Sequence, residues 1–343
     1  MPENIVTNLT LIGKWGFDGS TGHSEYKQKF SNGDLDDRSL FVTSYVPLQL
    51  VTQIDNTIIW KNPRPSSTRY CRPIRFQFKK ETAKVSKDEA EYFDAKIKQL
   101  KPKELSVSNK KVVITHSLHL TMVDGKVCNA ISESSSATCY ICGAKPTEMN
   151  NIQKCLSKEV RPRFYEFGLS PLHSYIRFFE YFLHISYKLE VKMWQVRDEE
   201  KKMQVLNRKK HIQEEFREKM GILVDKPRDG GRGSSNDGNI ARKFFCNADL
   251  SSEITGIDAS LIHRCATLLQ AMASGFKINV EKFENYALDT AKYLIAAYPW
   301  YYLPATVHKV LIHGSAVIEY ALVSIGELSE EAAESNNKEL KKY

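Results

Sequence analysis

The chain has 343 residues, 42% of them hydrophobic and 26% charged, the balance of a globular protein with a real core. Lys and Arg outnumber Asp and Glu by 49 to 41, a formal net charge of +8 that suits an anionic partner such as nucleic acid without requiring one. Seven cysteines, an odd number in a long chain, argue against a disulfide framework and for a reducing compartment, cytosol or nucleus.

The opening residues lack the basic-then-apolar order of a secretory signal, and no run of roughly 18 apolar residues offers a membrane span. Strand-like segments dominate the first third: 9–15, 39–54, 74–78 and 110–123 are rich in β-branched and aromatic residues. Between them, 87–100 reads as an amphipathic helix with Ala90, Phe93, Ile97 and Leu100 on one face. Alternating strands and helix predict a mixed α/β sheet domain.

After residue 165 the pattern turns helical. Ser170-Pro171 is a helix start, and Leu172, Tyr175, Ile176, Phe179 and Leu183 form one apolar face. A charged helix is expected at 198–220, a glycine-rich loop at 226–239, and further helices at 240–246, 258–273, 280–297, 305–323 and 328–342. Both ends look cut: a strand begins almost at once, and Tyr343 stops within a charged helix.

Several residues carry possible chemistry. Cys139 and Cys142 form a Cys-x2-Cys pair of zinc-knuckle spacing, while His308 and His313 lie five apart. Spacing alone leaves two readings open, one shared zinc or two buried thiols beside two helix histidines. Asp18 follows a strand and precedes glycine, so it reads as a metal-binding acid or as an ordinary turn. Glu334 lies in LSEEAAESNNK, where Ser329 and the acids after it read as a helix start. Arg242 and Lys243 follow Asn239, a potential N-cap where backbone amides favour phosphate, and Arg208, Lys209 and Lys210 form a second basic cluster.

Taken together and in order, six segments resemble the DNA transposases of the Transib and recombination-activating (RAG) recombinase family. FDGSTGHSEYK resembles the stretch around the first catalytic aspartate, and ATCYICGAKPTEMN the cysteine half of a zinc site. SPLHSYIRFFEYF resembles a second catalytic segment near 170–188. NDGNIARKFF, VHKVLIHG and SEEAAESNNKELKKY complete the series.

The resemblance implies an RNase H-like sheet (1–135), interrupted by a mostly helical zinc-tied region (136–327), with a C-terminal helix (328–343) bringing Glu334 next to Asp18. It implies structural Zn2+ on Cys139, Cys142, His308 and His313. Catalytic Mg2+ or Mn2+ would lie on Asp18, Glu334 and a second Asp. Duplex DNA would be the substrate, met by Asn239, Arg242 and Lys243, with a homodimer or a related subunit as partner and the nucleus as compartment. The alignment puts Tyr175 where the second acid belongs, and a phenol is a poor magnesium ligand. Glu180, on a polar stripe with His173, Arg177 and His184, and Asp198, Asp225, Asp229 and Asp237 are the replacements to weigh. The expectation is a transposon-derived recombinase core of weakened activity; the alternatives are a catalytically inactive domesticated DNA-binding protein and an unrelated zinc-containing α/β protein. The last predicts that the cysteine and histidine pairs lie far apart.

Overall fold

The computed structural model describes residues 7–21, 39–108, 110–227 and 234–340. The central part of the expected glycine-rich loop (228–233, with Asp229) and the last three residues lie outside them. The protein is mixed α/β and divides into two compact units. A sheet unit comprises Met1–Ser134, Glu166–Ser170 and Glu327–Tyr343; a helical unit comprises Ser135–Tyr165 and Pro171–Gly326.

Among the described residues the sheet unit holds six strands: β1 (Thr7–Thr21), β2 (Ser39–Thr52), β3 (Ile58–Lys61), β4 (Arg72–Gln77), β5 (Lys103–Val107) and β6 (Lys110–Leu120). Their order is β3-β2-β1-β6-β5, with β4 also pairing with β2. β1 runs antiparallel to β2 and parallel to β6. As the central strand it is covered on both faces, so Ile12 through Phe17 are all buried, including Lys14. The periodicity that marks a half-exposed strand is therefore lost here. β3 and β5 escape prediction because all their residues are exposed and no apolar face announces them.

Helix α1 (Ala83–Lys98) connects the antiparallel strands to the β5–β6 hairpin and lays Phe93 on Trp15, with ring centroids 5.4 Å apart. It begins four residues before the expected start because the Thr82 hydroxyl accepts from Val85 N–H at 3.2 Å, a side-chain cap. It ends before Leu100, which is left half-exposed. α2 (Gly125–Ser132) follows β6 at once and is capped by Asp124.

In the helical unit, two short helices, α3 (Pro146–Met149) and α4 (Ile152–Leu156), follow the cysteine pair. α5 (Pro171–Tyr187) is the core helix: Phe178, Phe179 and Phe182 are fully buried, each worth roughly 1.5–3 kcal/mol of burial. α6 (Glu199–Met220) is solvated on most sides and closes on Gly221 at φ 63°. α7 (Gly238–Cys246), α8 (Ala248–Thr255), α9 (Ala259–Ala273), α10 (Val280–Ala297) and α11 (Ala305–Tyr320) complete the unit. α8 was not anticipated from the sequence.

The chain then returns to the sheet unit as α12 (Glu331–Leu340), which buries Ala332, Ala333, Asn336 and Asn337 along one face. Among the described residues no single helix is long and apolar enough to cross a membrane.

Candidate functional site

Two glycines let three acidic segments converge in the sheet unit. β1 and β6 pair as far as Trp15↔Leu120, and the chain beyond β6 stays on β1 because Thr121 and Met122 N–H both bond Trp15 carbonyl, at 3.2 and 3.1 Å. A Cβ at Gly16 would lie 2.0 Å from Met122 carbonyl, so only glycine permits this approach. Two residues beyond Met122 stands Asp124, and two beyond Gly16 stands Asp18. A Cβ at Gly19 would meet Glu81 Cβ at 2.4 Å, so a second glycine seats Glu81 against the same strand end.

The electrostatics tie these acids together. The Glu81 carboxyl is pushed up to about 7, first by burial, then by the charges of Asp124 and Asp18, with Lys126 and the Gly19 backbone opposing. Asp124 Oδ1 accepts from Lys126 and Val127 N–H at 2.8 and 2.9 Å, capping α2. That cap engages one of the two carboxylate oxygens.

From the other side, residues 327–337 lie along β1 and β2. Gln49 Nε2 donates to both Glu327 oxygens at 3.2 and 3.3 Å, and Lys61 pairs with Glu327 at 3.1 Å. Lys14 Nζ donates to Ser329 carbonyl at 2.6 Å. Asn337 Nδ2 donates to Asp18 Oδ2 at 2.7 Å. Glu334 stands on the same helix, three residues, about one helical turn, before that Asn337 contact.

The helical unit contains a separate centre. Cys139, Cys142, His308 and His313 are all buried, and one ligand atom from each lies within 4.8 Å of the others. His308 Nε2 is 3.4 Å from Cys142 Sγ, and the two imidazole centroids are 5.2 Å apart. The knuckle brings the cysteines together, and α11 carries both histidines, with Gly314 and Ser315 after them buried as well. Cys139 is held down to about 7, chiefly by the Cys142 thiol, then by Cys142 and Ile141 N–H groups and Lys309, against burial. Burial holds His308 below the usual imidazole range and hence neutral, the form that ligates. His313 Nε2 is buried without a hydrogen-bond partner among the described residues. Two soft thiols and two neutral imidazoles, with an orphaned ring nitrogen, suit a metal such as zinc. The chemistry of the donor set fits, and the far-apart arrangement expected of an unrelated zinc-containing α/β protein is not what the chain forms.

No family model and no curated protein sequence matches the chain.

The remaining candidates are placed as follows. Tyr175 is a core residue of α5, its ring centroid 5.9 Å from Phe245, with the Arg242 guanidinium 5.3 Å above it. Asn239 is not the N-cap of α7. Asp237 is, its Oδ1 accepting from Asn239 and Ile240 N–H at 3.0 Å each, so a carboxylate already occupies the place expected to take a phosphate. Lys243 Nζ donates to Met220 carbonyl. In the second basic cluster, Arg208 bonds the Ser186 and Thr255 carbonyls and Glu190, and Lys209 pairs with Asp225 at 3.3 Å. These cations hold the helical unit together.

Nor, among the described residues, do the replacement acids form a metal site. Glu180 pairs with Arg177 at 2.7 Å, Asp198 caps α6, and Asp225 accepts from Asn236 and pairs with Lys209. Sequence reasoning missed Asp124 and Glu81. Asp124 carried a signal, since VDG after a strand repeats the FDG pattern that singled out Asp18. Glu81, in a charged linker, carried none.

Proposed function

We propose that this chain is the core of a metal-dependent DNA strand-cleaving and strand-joining enzyme of the Transib and recombination-activating kind, built on an RNase H-like sheet. The strand order supports the fold: an antiparallel β1–β2 pair, a helix, then a strand parallel to β1 on its other side. The observation that carries the function is the convergence of Asp18 and Asp124 just past the last β1–β6 pair, with Glu81 feeling both charges. In this reading Asp124 is the second acid, and Tyr175 keeps to the core of the helical unit.

Asp18, Asp124 and Glu334 supply the hard carboxylate oxygens that Mg2+ or Mn2+ requires. Such ions, when bound, activate the attacking water or 3′-hydroxyl and take up charge on the leaving oxygen. Glu81, raised to about 7 by burial and by the Asp124 and Asp18 charges, would be available as a further carboxylate ligand if a bound cation offset those charges. Zinc on Cys139, Cys142, His308 and His313 is structural, because four protein ligands leave no open position. The substrate is duplex DNA, the partner a second copy or a related recombinase subunit, and the compartment the nucleus.

One observation favours a catalytically inactive DNA-binding protein: Asn337 already occupies Asp18 Oδ2. Nicking of supercoiled plasmid with Mg2+ or Mn2+ separates the two. The enzyme reading expects activity that falls at least about a hundredfold in each of Asp18→Ala, Asp124→Ala and Glu334→Ala. Activity surviving all three puts the chemistry elsewhere. Duplex binding without any nicking by the unaltered chain selects the inactive protein.

A further inference from the structure

We infer that the cavity between α1 and the sheet face beneath it is a binding site for a two-ring aromatic molecule carrying a hydrogen-bond acceptor, which the Tyr45 hydroxyl meets. The site lies within the sheet unit, and its occupant does not depend on the strand-cleavage reading above.

The cavity follows from how α1 covers the sheet. Leu11 and Trp15 of β1 and Leu118 of β6 line it from the sheet, and Phe93 and Ile97 line it from α1. Between Leu11 and Trp15 stands Gly13, which pairs with Leu118. A Cβ at Gly13 would lie 2.4 Å from Tyr45 Cε2 and 2.8 Å from its Oη, so the glycine lets the phenol rest on β1. The space enclosed is about 320 Å3. Ile74 and Leu100, both half-exposed, also line it, so it reaches solvent.

The phenol is the group that calls for a ligand. Tyr45 Oη is buried and has no hydrogen-bond partner among the described residues. Burial pushes Tyr45 up to about 12, so the group is an O–H donor at neutral pH. A buried donor left unmet carries its full desolvation cost. A water in its place needs two to four polar partners, and the neighbouring Leu11, Trp15 and Leu118 offer hydrocarbon and a single indole N–H. An acceptor carried in by an apolar molecule satisfies the phenol and leaves the rest of the lining dry.

Volume and lining set the class of that molecule. A dry cavity of about 150 Å3 admits benzene, and small-molecule pockets begin at roughly 300 Å3, so the space here matches two fused rings with a short substituent. The Trp15 and Phe93 rings stand 5.4 Å apart at 39°, and with Tyr45 they favour an aromatic guest in tilted contact. Lys96 and His116, both exposed, bring the charge-bearing groups of the lining, and among the described residues no carboxylate lines it. A cationic ligand is therefore disfavoured. A nucleobase fits badly as well, because its several donors and acceptors would face hydrocarbon.

The test is equilibrium dialysis of the full chain with 2-acetylnaphthalene and with 2-ethylnaphthalene, which has the same rings and no acceptor. The unaltered chain is expected to bind both. Tyr45→Phe should bind the ketone about fivefold more weakly and the hydrocarbon equally well. It should also melt no lower than the parent, because the hydroxyl it removes has no partner among the described residues. Leu100→Trp adds bulk at a half-exposed position of the lining and should weaken both compounds about tenfold or more, with the phenol untouched. Ile59→Gln, at an exposed apolar position outside the lining, should change neither. Absence of binding by the unaltered chain overturns the inference, and so does binding that Leu100→Trp leaves unchanged or that Ile59→Gln lowers equally. A ketone affinity unaltered by Tyr45→Phe, or an equal loss of both compounds in that variant, overturns the part given to the phenol and the inference with it. Tighter binding of N-acetyltryptophanamide than of 2-acetylnaphthalene reassigns the cavity to an aromatic side chain of a partner protein and overturns it as well.

Discussion

Asn337 donates its side-chain N–H to Asp18 Oδ2 at 2.7 Å, joining residues 319 positions apart in the chain. The bond ties the last helix to the strand that carries the first acid. Glu334 lies one turn earlier on the same helix.

Asn337→Asp replaces this bond with two facing carboxylates. We expect a loss of about 1–3 kcal/mol in metal-free buffer, largely recovered on adding Mg2+. Urea unfolding with and without Mg2+ reads both effects. A variant as stable as the parent without metal would show that the bond does not hold α12 to the sheet.

The buried Cys/His cluster makes a separate prediction. Cys139→Ala, His308→Ala or His313→Ala should each reduce bound zinc from about one per chain towards zero. Because ligand binding and folding are coupled at such sites, the cost is about 3 kcal/mol or more, read as lower thermal stability. Unchanged zinc and an unchanged melting curve in all three variants would break the assignment.

Lys14 gives a pH-dependent signature. Burial lowers it from 10.5 to about 8, against the charges of Glu330, Cys71, Glu331 and Glu327. Between pH 8 and 10.5 the unfolded chain therefore binds the proton that the folded chain has released, and stability rises with pH across that window. Below pH 8 both states are charged and the desolvation cost is constant. Relative to Lys14→Met, the parent should gain up to roughly 3 kcal/mol from pH 8 to 10.5. Parallel unfolding curves for the two chains over that range would contradict the lowered value.

Tyr175→Asp tests which residue is the second acid. Tyr175 is 5% exposed and packed on Phe245, so a carboxylate there is a buried charge, and its desolvation together with the lost ring packing costs about 3 kcal/mol or more. We expect destabilisation without any gain in nicking, while Asp124→Ala abolishes nicking with the helical unit intact. A gain in nicking by Tyr175→Asp would return the second acid to α5.

The comparison of sequence with structure divides by the range of the interactions. Local pattern was enough for α1, α5, α6 and α9 to α11, since apolar spacing and capping residues act within a few positions. It failed at β3 and β5, whose exposed residues have no face to bury, and at α7, where Asp237 rather than Asn239 caps the helix. Asp18, Glu334 and the four metal-ligand candidates were named from short motifs, each of which had an ordinary reading beside the functional one.

What the sequence by itself determined was therefore chemical: two Cys-x2-Cys thiols, two histidines five apart, and acids followed by glycine after strands. Which of these meet was decided only by tertiary structure. Asp124 reaches the strand end of Asp18 because β6 runs parallel to β1 and Gly16 lets the backbone pass at van der Waals range. Cys142 meets His308 across 166 residues because α11 packs back onto the knuckle segment. Such pairings depend on which buried faces close against each other over long loops, and no periodicity within a single segment records that choice.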